Sequence, residues 1–109
     1  MSLIENLERM LAAGQDSAML RFGLGKAYAD HGDRPSAVTH LREAVRLDPD
    51  YSAAWKLLGR NLEAQEAYAE ACRVYREGVR IAEERGDLQA AKEMTVFLRR
   101  LQPEPGEEE

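Results

Sequence analysis

The chain has 109 residues, 44% of them hydrophobic and 32% charged, a balance typical of one folded, helix-rich domain rather than a disordered chain. Its 15 Lys and Arg against 20 Asp and Glu give a formal charge of −5, which argues against nucleic acid as a partner because phosphate backbones attract basic surfaces. No apolar run is long enough to span a membrane, so no membrane partner is expected, and the single cysteine, Cys72, excludes a disulfide within the chain.

The amino-terminal stretch has the pattern of an amphipathic helix. Ser2-x-x-Glu5 is a capping box, in which the serine hydroxyl accepts a hydrogen bond at the start of a helix. Apolar residues then follow at helical spacing, at Leu3, Ile4, Leu7, Met10 and Leu11. We predict a helix over Ser2–Ala13, within a cap segment of residues 1–15. Glu5 and Glu8 interrupt the apolar stretch that a secretory signal needs, so a cytoplasmic location is expected.

Two further helices are predicted before residue 50. The first runs from about Ser17 to Asp30, with Asp16 as its N-cap. Asp33 can cap the second, which spans about Arg34–Leu47. Asp48-Pro49-Asp50 then ends that helix, because proline disfavours helical backbone at the residue before it.

The second half of the chain is predicted to hold three more helices. They run over about Tyr51–Ala64, Tyr68–Glu84 and Leu88–Leu101. The segment between the first two, Gln65-Glu66-Ala67, contains no Gly or Pro, and we take it as a turn from the repeat described next. The acidic stretch 102–109 is expected to be disordered.

One residue pattern occurs twice, 34 positions apart. The first copy consists of Leu24, Gly25, Ala37, Leu41 and Ala44, and the second of Leu58, Gly59, Ala71, Tyr75 and Gly78. A fixed period of this size indicates one helix-turn-helix unit stacked on its duplicate. Small residues belong where two helices cross closely, and large residues fill the space beside each crossing.

These residues resemble the tetratricopeptide repeat, whose signature is W-x2-L-G-x2-Y, then A-x3-F, then P. The first unit carries Leu24-Gly25-x-x-Tyr28 and the second Trp55-x-x-Leu58-Gly59. The chain departs from the signature at two positions: the first unit has Arg21 in place of the leading aromatic, and the second has Glu83 in place of the closing proline. Without that proline, the last helix of the second unit should run a turn longer. The resemblance implies an all-α, right-handed α-solenoid of about six helices, with repeat units 18–51 and 52–85 between cap segments 1–15 and 86–101.

The resemblance also implies that the leading helix of each unit lines a concave groove that binds extended peptides. The side chains turned away from the packing positions are Lys56, Arg60 and Glu63 in the second unit, and Phe22, Lys26 and Ala29 in the first, with Met19 one turn earlier. The three cations on adjacent helices favour a partner segment that bears carboxylates. Met19 and Phe22 can hold an apolar side chain of that segment, and Glu63 can set the orientation of the segment by repelling acid at one end. Alternatively, these are ordinary solvated charges on exposed helices.

Two residues of the last helix are candidates for an extension of the groove. If that helix packs like a leading helix, Val96 faces the core while Met94 and Phe97 lean toward the groove. Alternatively, Met94 and Phe97 both belong to the core. A terminal-carboxylate clamp, as in some members of the family, is not expected, because the groove stripe lacks asparagines and Asn61 lies one residue off its face.

The chain shows no motif for catalysis, metal or cofactor binding. His31 and His40 are nine residues apart with no spacing that brings them to one metal, and Cys72 is expected to be a buried or half-buried thiol. We therefore expect a protein- or peptide-binding module that is not an enzyme. The alternative is a self-associating structural module, a homo-oligomer, in which exposed apolar residues of a cap helix such as Met10 or Leu88 complete a subunit interface.

Overall fold

A computed structural model describes residues 2–102, and over this range the chain forms six helices and no strand. The helices are α1 (Leu3–Ala12), α2 (Ala18–Asp30), α3 (Arg34–Leu47), α4 (Ser52–Ala64), α5 (Tyr68–Arg85) and α6 (Leu88–Leu101). Each packs on the next along the chain, and α4 also contacts both α2 and α6. The predicted all-α helical repeat of about six helices is confirmed. The stretch expected to be disordered lies outside the described residues, apart from Gln102.

Short polar side chains begin four of the helices. The hydroxyl of Ser2 accepts from the Glu5 amide at 3.1 Å, and the carboxylates of Asp33 and Asp87 cap α3 and α6 in the same way. At α2 the prediction was wrong. Ser17 is the N-cap, with its hydroxyl 3.1 Å from the Leu20 amide, because the carboxylate of Asp16 instead binds the Arg21 guanidinium at 2.8 Å.

The turn between α4 and α5 forms without glycine or proline. Glu66 takes a left-handed conformation, with φ +63°, where Gly32 has φ +79° in the first unit. In both turns an amide donates at 2.9 Å to a carbonyl five residues earlier, from Ala67 to Leu62 and from Asp33 to Tyr28. The second unit therefore repeats the backbone of the first, at the cost of holding a glutamate where glycine is favoured.

Glycines allow the helices within each unit to cross closely. A Cβ placed on Gly25 would lie 2.5 Å from Cγ of Leu41, and one on Gly59 would lie 2.6 Å from Cδ1 of Tyr75. Both contact distances are too short for carbon atoms, and Leu41 and Tyr75 are fully buried. The small and large members of the repeated pattern therefore meet each other in space, as their spacing indicates.

The last helix, α6, starts two residues later than the 34-residue period predicts. Because α5 has 18 residues against 14 for α3, and only Gly86 and Asp87 connect it to α6, the last helix starts 36 residues after α4 instead of 34. Met94 therefore takes the place of Leu58, and both are buried in the core. Val96, expected to face the core, is 57% exposed. No helix between residues 2 and 102 has both the length and the apolar content needed to cross a membrane.

Candidate functional site

The leading helices α2, α4 and α6 lie side by side and line a concave cleft of about 600 Å³, here called the groove. This volume lies within the usual range of pockets that bind small ligands. One residue of α3, Arg34, adds to the wall. The groove is lined by Phe22, Lys26, Ala29, Asp30, Arg34, Ala53, Lys56, Leu57, Arg60, Asn61, Ala64, Glu93 and Phe97.

Aromatic rings stand on the two outer helices of the groove. On α2, Phe22 stacks on Tyr51 with ring centroids 4.9 Å apart. On α6, Phe97 packs against Tyr75 at 5.5 Å. Leu57 of α4 lies between them and is half-buried. The groove therefore offers apolar surface whose rings are fixed by packing before any ligand arrives.

The charge of the groove is opposite in sign to that of the whole chain. It contains four cations and two carboxylates, a net charge of +2 against −5 for the protein. Lys26 pairs with Asp30 at 3.4 Å, and Lys56 pairs with Glu93 across to α6 at 2.9 Å. Both lysines are thus partly neutralised by neighbouring carboxylates, which leaves the two arginines as the stronger sites for an anion.

Arg34 is held in place by a buried amide. Its Nη1 donates to Oδ1 of Asn61 at 3.1 Å, and Nδ2 of Asn61 donates to the Leu57 carbonyl at 2.8 Å. Asn61 is 0% exposed, so its amide oxygen and nitrogen both need partners within the protein, and this orientation of the side chain provides both. The amide therefore orients the guanidinium toward the groove. Arg34 was not predicted from the sequence, because it lies in the first turn of α3 and not on a leading helix, and Asn61 was predicted to lie off the groove face.

Arg60 lies over an aromatic ring instead of beside a carboxylate. Its guanidinium carbon is 4.5 Å from the centroid of Phe97, and that of Arg100 is 5.3 Å from the same ring. Within residues 2–102, no carboxylate lies within 4.0 Å of the guanidinium of Arg60 or Arg34. A cation held by a ring keeps its edge N–H groups available to bind an anion.

Glu63 does not line the groove, contrary to the expectation that it orients a ligand there. Its Oε2 accepts from the Tyr75 hydroxyl at 2.6 Å, and its Oε1 lies 3.6 Å from Nη2 of Arg100. Burial, followed by this hydrogen bond, raises the pKa of Tyr75 well above its ordinary value. The first unit has Leu41 in place of Tyr75, so the hydroxyl that draws the carboxylate inward exists only in the second unit. Glu63 instead borders a cavity of about 300 Å³ with Arg60, Ala64, Tyr68 and Arg100.

Two other predicted groove residues lie elsewhere. Met94 is 0% exposed and packs over Gly78, because the shift of α6 turns it into the core. Met19 is 77% exposed but does not line the groove, since three residues along a helix rotate it about 60° from Phe22. The structure brings together Phe22, Lys26, Lys56, Arg60 and Phe97, and adds Arg34, Asn61 and Glu93.

A second, smaller cleft lies along α6 away from the groove. Its volume is about 400 Å³, and its most exposed apolar residues are Leu88, at 63%, and Val96. Ala91 forms its floor and Lys92 its edge. Cys72 is buried in α5, as predicted, and takes part in neither cleft.

Six helices that pair through repeated small-to-large contacts and leave a groove on their leading helices define a helical-repeat protein of the α-solenoid class. Comparison with known families agrees, since the Tetratricopeptide repeat family matches residues 22–86. The chain belongs to the tetratricopeptide repeat family, whose members are generally protein-interaction modules, and the match indicates no catalytic family.

Relatives extend the similarity over most of the chain. A TPR repeat-containing protein of Pseudomonas aeruginosa is 54% identical over 99 residues, which cover 91% of this chain and 94% of that protein. The solution structure of a Bordetella parapertussis protein is 48% identical, with a TM-score of 0.80 over 93% of this chain and 88% of that one. A tetratricopeptide repeat domain protein from Salinibacter ruber, 23% identical, shares the fold with a TM-score of 0.74, over 80% of this chain and 97% of that one.

Proposed function

We propose that the groove binds a segment of a partner protein that carries carboxylates next to an apolar side chain. Membership of the tetratricopeptide repeat family supports protein binding in general. The observation that carries the finer proposal is the pair of arginines in the groove, Arg34 and Arg60, which have no carboxylate partner among residues 2–102. Each is oriented by a neutral group, Asn61 in one case and Phe97 in the other.

This arrangement favours an anionic ligand for a physical reason. A guanidinium already held in position loses less side-chain entropy when it binds, and its fork geometry matches a carboxylate with two parallel hydrogen bonds. Lys26 and Lys56 already have carboxylate partners, so their contribution to a ligand is mainly long-range attraction. Two carboxylates on the ligand, one for each arginine, are therefore the expected recognition elements.

The apolar surface of the groove selects the residue between those carboxylates. Phe22 and Leu57 present partly buried apolar surface to the groove, and the small side chains of Ala29 and Ala53 also line it. An aromatic or aliphatic side chain placed there removes apolar area from water at about 25 cal/mol per Å². The preferred ligand therefore combines acid and apolar character, whereas a purely acidic segment uses only part of the groove.

A panel of matched peptides tests this proposal. Fluorescence anisotropy of the full chain is measured with an eight-residue peptide of two glutamates flanking a phenylalanine, the same peptide with both glutamates replaced by glutamine, and the same with phenylalanine replaced by alanine. The first should bind at least about tenfold more tightly than the glutamine form, and lose affinity at high salt. Equal affinity for the acid and amide peptides would refute the proposal.

Self-association is a second candidate function, favoured by the exposed cleft on α6. Leu88 and Val96 expose apolar surface that a second copy could cover. Met10 of α1 is also exposed, at the other end of the chain of helices. Self-association is tested by sedimentation velocity over a hundredfold concentration range. The variant Leu88→Glu/Val96→Glu is compared with the unmodified chain. A concentration-independent monomer would exclude this function.

A further inference from the structure

We infer that the acidic segment Pro103–Glu109 of this chain binds at the Arg60 end of the groove and competes there with the partner. The inference rests on the proposed function, because the segment takes the place of an acidic ligand. Its four glutamates and no basic residue give it a charge of −4, opposite to the +2 of the groove. Such complementarity favours association between the two.

The helix geometry brings this segment to the basic end of the groove. Three contacts join α4 to α6 at a constant offset of 37 residues, namely Lys56 with Glu93, Arg60 with Phe97, and Glu63 with Arg100. A constant positive offset means that the two helices run in the same direction. The residues that follow α6 therefore begin next to the carboxyl end of α4, about one helical turn beyond Arg60, where the Gln102 side chain accepts from Arg76 of α5.

The segment is long enough to reach the arginines. Phe97 precedes Leu101, the last residue of α6, by four residues, or about 6 Å along the helix axis. Arg60 lies directly over the Phe97 ring. Seven residues span up to about 25 Å when extended, so every glutamate from Glu104 onward can come within contact of Arg60 or Arg100. A proline at position 103 disfavours helical backbone at Gln102, where α6 ends, and the dipeptide Pro105-Gly106 is typical of turns.

We expect the segment to bind the groove weakly enough for a partner to displace it. A short tether gives the segment an effective concentration in the millimolar range, whereas exposed ion pairs alone give only weak affinity. The bound and released forms are then comparable in population. Removal of the segment should therefore increase the affinity for an acidic ligand about two- to threefold.

Two variants test the inference. One ends at Gln102, and the other keeps the full length but carries Glu104→Gln, Glu107→Gln, Glu108→Gln and Glu109→Gln, so that charge is separated from chain length. Backbone amide chemical shifts at low salt are compared with those of the unmodified chain. Both variants should move the signals of Arg60 and Phe97 and leave that of Ala37 in place. Sodium chloride at 0.5 M should remove the difference.

Binding measurements separate this inference from the proposed function. The probe is the synthetic acidic peptide with two glutamates and a phenylalanine, added to the unmodified and shortened chains. If the shortened chain binds it with unchanged affinity and the Arg60 and Phe97 signals do not move, the inference is wrong and the proposed function stands. If both variants move these signals but the peptide binds no better than its glutamine form, the inference stands and the proposed function fails.

Discussion

The ring of Tyr75 lies directly on the backbone of Gly59, with no room for a side chain between them. A Cβ on Gly59 would come within 2.6 Å of Cδ1 of Tyr75. The ring cannot move away, because Tyr75 is fully buried and its hydroxyl donates to Glu63 at 2.6 Å. This contact joins α4 to α5 and so fixes the helix that carries Lys56 and Arg60.

Gly59→Ala should therefore lower the free energy of unfolding by about 1–3 kcal/mol, the usual range for overpacking a core. Urea denaturation followed by circular dichroism measures it. Gly23→Ala is the matched control, since a Cβ there would meet Leu7 at an ordinary 3.8 Å. That change should be neutral or stabilise by up to about 1 kcal/mol, because alanine favours a helix interior. Equal effects at the two glycines would contradict the packing described.

Tyr75→Phe should cost about 1–2 kcal/mol of unfolding free energy. The substitution keeps the ring over Gly59 but removes the hydroxyl that donates to Glu63, whose carboxylate is then left with Arg100 alone at 3.6 Å. The same urea experiment measures this loss. The double variant Tyr75→Phe/Glu63→Gln should recover part of it, because no charged acceptor is then left without its donor. Full additivity of the two substitutions would show that the hydrogen bond contributes nothing.

His40 should make the stability fall as the pH is lowered from neutrality. Its ring stacks on Tyr28, and its Nδ1 lies 3.1 Å from Arg21 Nη1, so the ring nitrogen accepts from a guanidinium. Burial lowers the pKa of His40 below its ordinary 6.5, and the charge of Arg21 lowers it further, while Glu8 and Asp16 oppose this.

The direction of this pH effect depends on whether the folded or the unfolded chain binds the proton of His40 more tightly. The pKa of His40 is lower in the folded chain than in the unfolded chain, so the unfolded chain takes up the proton first as the pH falls. The contribution of neutral His40 to the unfolding free energy is therefore fully present above pH 6.5, and it declines as the pH falls from there through the folded pKa. Urea midpoints between pH 8 and pH 5 measure the decline. His40→Gln should flatten the part of the curve just below pH 6.5. An unchanged curve in this variant would assign the pH dependence to other groups.

Asn61→Asp should weaken the binding of an acidic peptide by about three- to tenfold. The new carboxylate would stand beside Arg34, where the Asn61 amide oxygen now accepts at 3.1 Å, and would neutralise that guanidinium before a ligand arrives. Because its second oxygen cannot donate to the Leu57 carbonyl as the amide does, circular dichroism is recorded to confirm the fold. Asn6→Asp on the exposed face of α1 makes the same change in net charge and should leave binding unaffected. Anisotropy titrations with the two-glutamate peptide compare the two. Equal weakening in both would reduce the role of Arg34 to a general charge effect.

The sequence predicted the helices well because their signals are local or repeated. Ser2 and Asp33 mark helix starts through single side chains, and the turn at Glu66 follows from the 34-residue period although nothing in its own composition indicates it. The N-cap of α2 was assigned wrongly, to Asp16, because Ser17 and Asp16 are both suitable caps and the Asp16 carboxylate instead binds Arg21, five residues along the chain.

The groove was predicted only in part, because its composition depends on how separate helices meet. Helical periodicity puts Lys56 and Arg60 on one face of a helix, and the resemblance to the tetratricopeptide repeat implied that this face lines the groove. Glu93 could not, because it enters only through the two-residue shift of α6, and Arg34 reaches the groove from a trailing helix through Asn61. The same shift moved Met94 into the core.

The proposal that the groove recognises carboxylates is tested most directly by reversing its charge. Lys56→Glu/Arg60→Glu in the full chain is compared with Arg73→Glu/Lys92→Glu, an equal change in net charge at exposed positions outside the groove. Dissociation constants are measured by anisotropy for the two-glutamate peptide and for its two-lysine counterpart, with circular dichroism to confirm the fold. Loss of the Lys56–Glu93 pair should lower the unfolding free energy by no more than about 1 kcal/mol.

We expect the groove variant to lose at least about tenfold in affinity for the acidic peptide and to gain affinity for the basic one, while the control variant does neither. If the groove variant keeps the affinity and preference of the unmodified chain, or if the control variant changes equally, the groove is not the site at which this protein binds carboxylates.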